Sequence, residues 1–575
     1  MFAGKRAHLD WRSLAIVVTA ATAPYLNGLA AGFAFDDGLV IRQNPVITGA
    51  FDLGAILGPP HYPVNLYRPL TVLTYALNER IAPGNAALFH AVNLVLHAGA
   101  TLLVFQLGLQ LCRARSVALI AAVLFGVHPI HTEAVTGIVG RAELLAAFFG
   151  LLTLVWTISG ADEQNRKAGR DALALLAFTA AVFCKESALT VLPLIPLSRA
   201  ARRGGLWPAL WRELRSGHWL PFLIVSGLFL ATRTYVIGTL TLPDRPLPLD
   251  NVLAYTPAMV RIRTALAVLS DYASLLAMPV VLSADYSWRA VTPVASWFSL
   301  RPLLGLGLVM GSVALFLRSS RRNAALGLFA IFPLVTLSLA SNLVIPIGTV
   351  KAERLLYLPS VGCALLAGLL LQGFRPKRAW LQGGVVAFIT IAFAARTWVR
   401  NRDWQNDLTL FQAAVKAEPD SAKAHHNLGV TLQELGRFDE ANIQFREALR
   451  VFPGYAESAF CIGQIYQAKG LDNGAISWYR KALAIAPSNP RANENLCSLL
   501  LRRNEFAAAE AACRHGLRFA PADAGLLKGL GASFIGLDDQ ARGVAVLRRS
   551  LALNPDDQEL RSALAHLEGG PLPSG

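Results

Sequence analysis

The sequence predicts an all-α protein in which a bundle of about eleven membrane-spanning helices precedes a soluble α-solenoid. Three observations predict this fold class. The 575 residues are 54% hydrophobic and 16% charged, with a mean hydropathy of +0.44, whereas soluble proteins are about 25% charged. Residues 406–575 hold 18 Lys and Arg against 19 Asp and Glu, so the formal net charge of +16 comes entirely from the apolar part, residues 1–405. Prolines also recur at a constant interval through the tail.

These numbers exclude several classes of protein. The apolar content excludes a disordered chain, and 6 Cys in 575 residues do not build a disulfide-rich scaffold. A nucleic-acid-binding module would carry its basic residues on a soluble domain, so no nucleic-acid partner is expected. We therefore divide the chain into a multispan membrane domain at 1–402 and a repeat domain at 403–575.

The candidate membrane spans are apolar stretches that approach the required length of about 20 residues. Some are short or interrupted by Pro, which is typical of helices packed inside a bundle. A further stretch at about 262–282 is ambiguous. The eleven candidates are about 13–33, 86–110, 116–130, 140–158, 171–186, 187–199, 218–237, 299–317, 323–341, 355–373 and 379–398.

The distribution of Lys and Arg predicts the orientation of these spans, because basic loops stay in the cytoplasm. The N-terminal segment around Lys5 and Arg12 lies inside, and the basic loops at 318–322 and 375–378 lie inside only if 262–282 makes no net crossing. We therefore expect 262–282 to lie in the interface or to re-enter. The protein is expected in a bacterial inner membrane, or in an ER membrane if eukaryotic, with its tail on the periplasmic or luminal side. The first span is expected to be an uncleaved signal anchor.

The tail repeats with a fixed period. The prolines that stop every second helix are evenly spaced, at Pro419, Pro453, Pro487, Pro521 and Pro555. Small residues recur in the same register, where they let two antiparallel helices approach closely. This pattern resembles the tetratricopeptide repeat (TPR). It predicts a half-repeat at about 404–420, four repeats at about 422–455, 456–489, 490–523 and 524–557, and a cap at about 558–568.

The third repeat departs from the pattern, because Cys497 and Cys513 replace a Gly and an aromatic residue. Since the tail contains no CxxC, we expect its cysteines to be small core residues rather than a disulfide or a zinc site. The concave face of a TPR solenoid commonly holds a peptide. We therefore expect the groove to bind a polypeptide. This is either the acceptor protein or peptide, or a partner protein, and the sequence leaves both open.

Two adjacent carboxylates follow the first predicted span, in the segment Phe35-Asp36-Asp37-Gly38. One carboxylate can act as a general base or bind a metal while hydrogen bonds hold the other. The alternative interpretation is a helix cap beside a solvated acid.

The other predicted outward loops contain few Lys and Arg, yet they hold ionisable residues beside apolar spans, where such residues usually pair or take part in function. The acids and bases within GRAE and CKES are either structural partners or site residues. His128, His131 and Glu133 are metal-ligating types, but their spacing matches no strong zinc motif. The segments are YRPL at 67–70, HPIHTE at 128–133, GRAE at 140–143, CKES at 184–187, ADY at 284–286 and KAER at 351–354.

The order of these motifs resembles a known family. The FDD…IxxNP opening, YRPL, HPIHTEAV…GRAE, CKES and KAERLLYLPS, followed by a TPR tail, are similar to the transmembrane and TPR repeat-containing protein O-mannosyltransferases of the GT-C superfamily. The resemblance covers about residues 10–560. It implies a GT-C-like membrane domain, a polyprenyl-phosphate sugar as donor and a protein Ser or Thr hydroxyl as acceptor on the outer side. The sugar is expected to be mannose-like and no cofactor is obligatory, while a divalent metal stays an open alternative.

The resemblance also implies roles for individual residues. Asp36 corresponds to the base that takes the hydroxyl proton, Asp37 orients or assists it, and a single base implies an inverting displacement. Cations stabilise the charge that develops on the lipid phosphate, and the expected ones are Arg354, Lys351 and Arg68. The expected floor of the site and the positions behind it comprise His128, His131, Glu133, Arg141, Glu143, Lys185 and Glu186.

Two other functions remain open. A non-catalytic scaffold, the main alternative, would use the TPR groove to assemble an envelope complex. A transporter of lipid-linked sugars would place acids near the middle of its spans. Nearly all acids here lie near span ends or in loops, with Asp271 as the candidate exception.

Overall fold

A computed structural model describes residues 10–60, 66–159, 168–203, 206–239, 246–319, 324–343, 345–373 and 379–568. The chain forms two compact units, Met1–Pro419 and Asp420–Gly575. Regular structure in the described residues is helical, apart from an isolated bridge between Trp288 and Val291. The all-α class predicted from the sequence is confirmed.

Several helices of the first unit begin with a side-chain cap or with a proline in the first turn. Asp10 accepts a hydrogen bond from the Ser13 N–H at 2.9 Å, for example. The helices are α1 (Trp11–Thr22), α2 (Pro45–Thr48), α3 (Leu53–Leu57), α4 (Pro69–Ile81), α5 (Ala86–Cys112), α6 (Arg115–Gly126), α7 (Thr132–Val135), α8 (Arg141–Ser159), α9 (Ala168–Cys184), α10 (Val191–Arg203), α11 (Leu206–Arg215), α12 (Leu220–Ile237), α13 (Ala258–Ala277), α14 (Leu300–Ser319), α15 (Ala324–Leu337), α16 (Pro359–Gly373), α17 (Ala379–Asn401) and α18 (Asp407–Ala417).

Within the described residues, 6 helical segments are long and apolar enough to cross a membrane, or up to 7 if a bent pair counts as one span. They are Trp11–Ala30, Ala86–Cys112, Ile138–Ser159, Leu220–Ile237, Leu300–Arg318 and Trp380–Gln405. The bent pair and the shorter apolar helices Ala324–Ala340 and Pro359–Gly373 fall on further predicted spans. The predicted helical domain with several apolar helices long enough to span a membrane is therefore confirmed, while eleven crossings stay a prediction.

The bent pair brings polar residues into the bundle. The bent pair consists of α6 and the segment Pro129–Val135. α6 ends at Gly126, and Pro129 has no backbone N–H with which to continue the helix. The segment Pro129–Val135 consequently leaves at 49° to α6. This change of direction places Glu133, a buried residue, among the other buried elements of the first unit.

Most of the ambiguous stretch 262–282 forms α13, which packs closely against α14. A Cβ atom at Gly305 would overlap with the carbonyl oxygen of Leu266, so the two helices approach each other where glycine removes the side chain. Asp271 on α13 accepts a hydrogen bond from Arg301 Nε at 3.0 Å. α13 is not one of the six helical segments that are long and apolar enough to cross a membrane. Its predicted place at the membrane interface, or as a re-entrant segment, stays a prediction.

The second unit consists of helix pairs. Each predicted repeat contains one pair, the last helix falls on the predicted cap, and a proline follows the second helix of each pair. The predicted TPR solenoid is confirmed. The helices are α19 (Ala422–Glu434), α20 (Phe438–Val451), α21 (Ala456–Ala468), α22 (Asp472–Ile485), α23 (Pro490–Arg502), α24 (Phe506–Leu517), α25 (Ala524–Gly536), α26 (Gln540–Leu553) and α27 (Gln558–Leu567).

The segment expected to be a half-repeat forms α18, which lies in the first unit. Asn406 caps this helix by accepting from the Thr409 N–H at 3.1 Å. Phe411 packs edge-on against Phe35, with ring centroids 5.9 Å apart. The division between the compact units thus follows Pro419, and a domain boundary at residue 402 stays an interpretation of the composition.

The expectation for the tail cysteines is wrong for one pair, because Cys497 in α23 and Cys513 in α24 form a disulfide bond. Their Cα atoms are 5.4 Å apart, a normal distance for a disulfide. Both residues are also buried in the core of the tail. Short cysteine motifs such as CxxC do not reveal this pair, because two antiparallel helices bring together residues that are 16 positions apart.

Changing Gly305→Ala should destabilise the first unit by about 1–3 kcal/mol, because the added methyl group forces α14 away from the backbone of α13. Gly307→Ala on the same helix is the matched control, since a Cβ at Gly307 meets no atom within 4 Å. That control should be neutral, or stabilising by up to about 1 kcal/mol. Thermal unfolding of the detergent-purified proteins measures both, and equal effects would contradict the close packing of α13 and α14.

Candidate active site

A cavity of about 410 Å³ lies among charged residues of the first unit. Its walls come from the segment after α1, the start of α4, the region from α7 to the start of α8, and later loops. Small-molecule sites typically measure about 300–1,000 Å³. Seven of the residues expected at the site line this cavity: Asp36, Asp37, Arg68, Glu133, Glu143, Lys185 and Arg354.

A sharp turn presents the acid pair. Phe35, which precedes it, has a φ of 59°, a left-handed conformation that is unusual for a bulky residue and is often found at functional sites. The Phe35 N–H donates to Oδ1 of Asp407 at 2.6 Å, and its ring packs against Phe411. These contacts hold the turn from which Asp36 and Asp37 reach the cavity.

Backbone donors hold Asp37. Its Oδ2 accepts from the Ala34 N–H at 3.0 Å, and its Oδ1 accepts from the Val139 N–H at 2.9 Å. Burial raises the pKa of Asp37 to about 7, while these two donors oppose the rise and the neighbouring charge of Asp36 adds to it. Asp37 therefore ties the first loop to the turn that precedes α8.

Asp36 is the carboxylate that remains available. It is partly exposed and lines the cavity, and it forms no hydrogen bond or ion pair with the residues that the structure describes. Burial alone would lower the pKa of Arg354, but the negative charges of Glu133 and Asp36 raise it. One acid is thus held in place while its neighbour can accept a proton or a ligand.

Glu133 binds Arg354 through both of its oxygens. Oε2 accepts from the backbone N–H of Arg354 at 2.8 Å, and Oε1 accepts from the guanidinium Nη1. The side chain of Glu133 is 2% exposed and that of Arg354 is 30% exposed. Charge-assisted bonds of this kind are strong and directional, so they hold the guanidinium in the wall of the cavity.

The other two cations of the wall also have acidic partners. Arg68 donates to Glu186 from Nε at 3.1 Å and from Nη2 at 2.7 Å. Lys185 forms an ion pair with Glu143, and both side chains are 8% exposed. Glu186 therefore stands behind Arg68 and does not line the cavity itself. Among the described wall residues, the charge without an ion-pair partner or backbone donors is Asp36.

The two expected histidines line a different cavity. His128 and His131 border a mostly apolar space of about 800 Å³ between α6, α13, α16 and α17. His128 Nε2 lies 2.9 Å from the carbonyl oxygen of Leu276, and His131 Nε2 lies 2.8 Å from Ser360 Oγ. The segment 128–133 thus contributes its histidines to the apolar space and Glu133 to the charged cavity.

Arg141 and Lys351 also lie outside the charged cavity. Arg141 is fully buried behind Tyr75, with its guanidinium carbon 4.8 Å from that ring, and its Nε donates to Asn93 Oδ1 at 2.9 Å. Lys351 Nζ lies 4.1 Å from the ring centre of Tyr286. In the described part of the chain, no group of three or more His, Cys, Asp or Glu is arranged to hold a metal ion.

Trp404, which is not among the residues predicted from the sequence, also lines the charged cavity. Its side chain is buried, and its Nε1 has no hydrogen-bond partner in the described structure. A Cβ atom at Gly137 would lie 2.9 Å from the Trp404 ring, so the indole sits directly against the turn between α7 and α8. Its place just after the last predicted span is the signal that could have identified it.

A second buried acid anchors the loop that carries Arg354. Oε1 of Glu353 accepts from the Ser283 N–H at 2.6 Å and from the Tyr286 O–H at 2.7 Å. Its Oε2 has no hydrogen-bond partner among the described residues and lies 4.0 Å from Arg400 Nη2. Burial raises the pKa of Glu353 to about 7, although the charge of Arg400 opposes the rise.

Comparison with protein families supports the repeat assignment. A family model described as "Tetratricopeptide repeat" matches residues 394–441 and 426–490. Among solved structures, "MamA 41-end from Desulfovibrio magneticus RS-1" is similar over 26% of this chain and 84% of that chain, with 21% sequence identity and a TM-score of 0.25.

Curated relatives match both parts of the chain. "Protein O-mannosyl-transferase TMTC3" from Mus musculus is 29% identical over 561 residues, which cover 89% of this chain and 60% of the relative. "Protein O-mannosyl-transferase TMTC4" from Homo sapiens is 31% identical over 487 residues, which cover 74% of this chain and 64% of the relative. The chain thus spans about 60% of the length of these relatives.

The Glu353→Gln variant should become more stable relative to the wild type as the pH rises from 5 to 7. Glutamate titrates near 4.3 in an unfolded chain and near 7 at this buried position. Between these values the folded state binds more protons than the unfolded state, so wild-type stability falls with rising pH. Thermal unfolding at pH 5, 6, 7 and 8 should show a difference that grows by on the order of 2 kcal/mol and levels off above pH 7. A difference independent of pH would contradict the raised pKa.

Proposed function

We propose that this chain, which is similar to the transmembrane and TPR repeat-containing proteins among its curated relatives, is a membrane glycosyltransferase. The proposed reaction moves a mannose-like sugar from a polyprenyl phosphate to a Ser or Thr hydroxyl of a protein. The observation that carries the proposal is Asp36, an unpaired carboxylate in a cavity whose walls also hold Arg354 and Arg68. Displacement at a sugar carbon by a hydroxyl, with a phosphate leaving group, needs such a base together with such cations.

Asp36 is the proposed base. Its carboxylate accepts the proton of the acceptor hydroxyl while the hydroxyl oxygen forms a bond to the anomeric carbon of the sugar. Asp37 keeps the turn in place through its bonds to Ala34 and Val139. Glu133 and Glu143 are engaged by Arg354 and Lys185, and retaining glycosidases need a second free carboxylate as nucleophile. A single base therefore favours direct displacement with inversion at the anomeric carbon.

Arg354 and Arg68 are the proposed phosphate ligands. As the bond between the sugar and the phosphate breaks, the electron pair stays on the phosphate oxygen and negative charge develops there. The side chains of Arg354 and Arg68 are 30% and 17% exposed, so their guanidinium groups are accessible from the cavity. Each is oriented in advance by a carboxylate, which reduces the rearrangement needed during the reaction. Lys351, which lies outside the cavity, has no role in this proposal.

The apolar cavity beside segment 128–133 suits the lipid part of the donor. A polyprenyl chain is excluded from water and needs apolar surroundings. Phe125, Leu371 and Phe393 contribute to the walls of the 800 Å³ space, and Glu133 at the end of the adjoining segment lines the charged cavity. We propose that the polyprenyl chain of the donor lies in the apolar cavity and that its phosphate lies beside Arg354.

Trp404 is a proposed contact for the sugar. Its Nε1 is buried at the edge of the cavity without a hydrogen-bond partner in the described residues. An indole offers a flat apolar face and one N–H donor, a combination that suits a pyranose ring and its hydroxyl groups. A sugar hydroxyl would satisfy this donor.

We propose that the acceptor protein binds on the same side of the membrane as the TPR tail. The excess of Lys and Arg in alternate loops supports a periplasmic or luminal tail. A TPR groove can hold an extended chain of an acceptor protein. The scaffold alternative uses the same groove for a partner, whereas the transporter alternative loses support because Asp271 is paired with Arg301.

The variant Asp36→Asn should lower product formation by roughly 10²–10⁴-fold, because it removes the base at almost constant volume. Protein-linked hexose, measured by mass spectrometry in cells that express the chain, reports the activity. Asp52→Asn is the matched control in the same loop: Asp52 is exposed and caps α3, and asparagine caps helices equally well.

The two functions predict different outcomes for these variants. A glycosyltransferase loses activity with Asp36→Asn and keeps it with Asp52→Asn, while both proteins retain the wild-type thermal unfolding curve. A scaffold keeps its cellular phenotype with both changes. Full activity of a folded Asp36→Asn protein would contradict the proposal.

A further inference from the structure

Three of the four repeats join their two helices by the same contact, in which a glycine of the first helix meets a large side chain of the second. A Cβ atom at each glycine would lie within 2.5–2.7 Å of the facing side chain, so a larger residue there would push the two helices or that side chain apart. The contact therefore sets how closely the two helices of a repeat approach. The pairs are Gly429 with Phe445, Gly463 with Tyr479, and Gly531 with Leu547.

The third repeat replaces both partners of this contact by cysteine. Cys497 stands one repeat period after Gly463, and Cys513 stands one repeat period after Tyr479. Both are buried, at 1% and 0% exposure, and they form the disulfide bond between α23 and α24. The bond thus occupies the position of the glycine–aromatic contact in the repeat register.

The next repeat packs directly on this bond. A Cβ atom at Gly529 of α25 would lie 2.5 Å from Cys497 Sγ and 3.0 Å from Cys513 Sγ. Leu526 and Phe534 of the same helix belong to one buried cluster with the two cysteines. The disulfide therefore lies in the core between the third and fourth repeats.

We infer that the Cys497–Cys513 bond is a covalent replacement for the glycine–aromatic contact, and that the repeat domain folds in an oxidising compartment. Two cysteine side chains fill less space than a phenylalanine or tyrosine ring, so without the bond the helices of the third repeat are held together least well. A cross-link restricts the unfolded chain and offsets the missing packing. Because the cytosol keeps thiols reduced, this position of the bond places the tail on the other side of the membrane.

The oxidation needs an electron acceptor. The two thiols lose two protons and two electrons as the sulfur–sulfur bond forms, and a disulfide-bearing thiol oxidase is reduced to its dithiol form. Enzymes of this class work in the periplasm and in the ER lumen, and not in the cytosol. The inference uses only the tail, so it does not depend on the proposed glycosyltransferase activity.

Thiol trapping tests the oxidation state in the full chain. Membranes from expressing cells are quenched in acid, denatured without reductant, alkylated and analysed by peptide mass spectrometry. Cys461 is the internal control, because it is a free thiol of the same tail. We expect Cys461 to be alkylated, and Cys497 and Cys513 to be alkylated only after reduction. Alkylation of all three to the same extent without reductant would overturn the inference.

The double variant Cys497→Gly with Cys513→Phe tests the structural role, since it restores the contact of the other repeats without a disulfide. Under limited proteolysis of the purified full chain, reductant should speed cleavage in the third repeat of the wild type by roughly 100-fold. The same reductant should leave the double variant unchanged. Cys497→Ser with Cys513→Ser should be cleaved rapidly with or without reductant. A wild type that is insensitive to reductant would overturn the structural role.

Discussion

The pairing of Glu133 with Arg354 is the interaction on which the candidate site depends. Glu133 reaches the cavity because Pro129 ends α6 and turns the chain, and it then binds both the backbone and the guanidinium of Arg354. Removing either partner would leave an uncompensated charge among apolar helices, which is costly. With Glu186 and Glu143 paired to Arg68 and Lys185, Asp36 is the carboxylate of the described wall without a hydrogen bond or an ion pair.

Much of the fold could be predicted from the sequence, because its two parts follow different periodicities. Evenly spaced prolines in the tail specify a TPR array, and long apolar stretches between basic loops specify a membrane bundle. The number of crossings could not be predicted in the same way. Length and hydropathy do not tell a buried short helix from a span, as the stretch 262–282 illustrates. The assignment of α18 to the first unit depends on contacts with Phe35, which no local pattern reveals.

The candidate site was predictable in part, for a related reason. The carboxylate pair at Asp36 and the ionisable residues Glu133 and Arg354 beside apolar spans stand out in the sequence, the family resemblance implies roles for them, and the structure brings them to one cavity. Residues of one short motif lie in different places. His131 lines the apolar cavity while Glu133 lines the charged cavity, and Arg354 lines the charged cavity while Lys351 lies outside it. Turns in irregular segments decide these directions, and sequence spacing does not encode them. The disulfide joins facing positions of two antiparallel helices that are 16 residues apart, a pairing that short cysteine motifs do not reveal.

In the proposed function, Asp36 and Arg354 serve the transfer of a sugar from a lipid phosphate. The most direct measurement incubates the purified full-length protein with a panel of polyprenyl-phosphate sugars and acceptor peptides rich in Ser and Thr, and quantifies the free polyprenyl phosphate. We expect at least one donor, most of all the mannosyl donor, to release lipid phosphate in step with the formation of glycosylated peptide, and we expect Asp36→Asn to abolish both products. A folded wild-type protein that releases no lipid phosphate from any donor would contradict the proposed function.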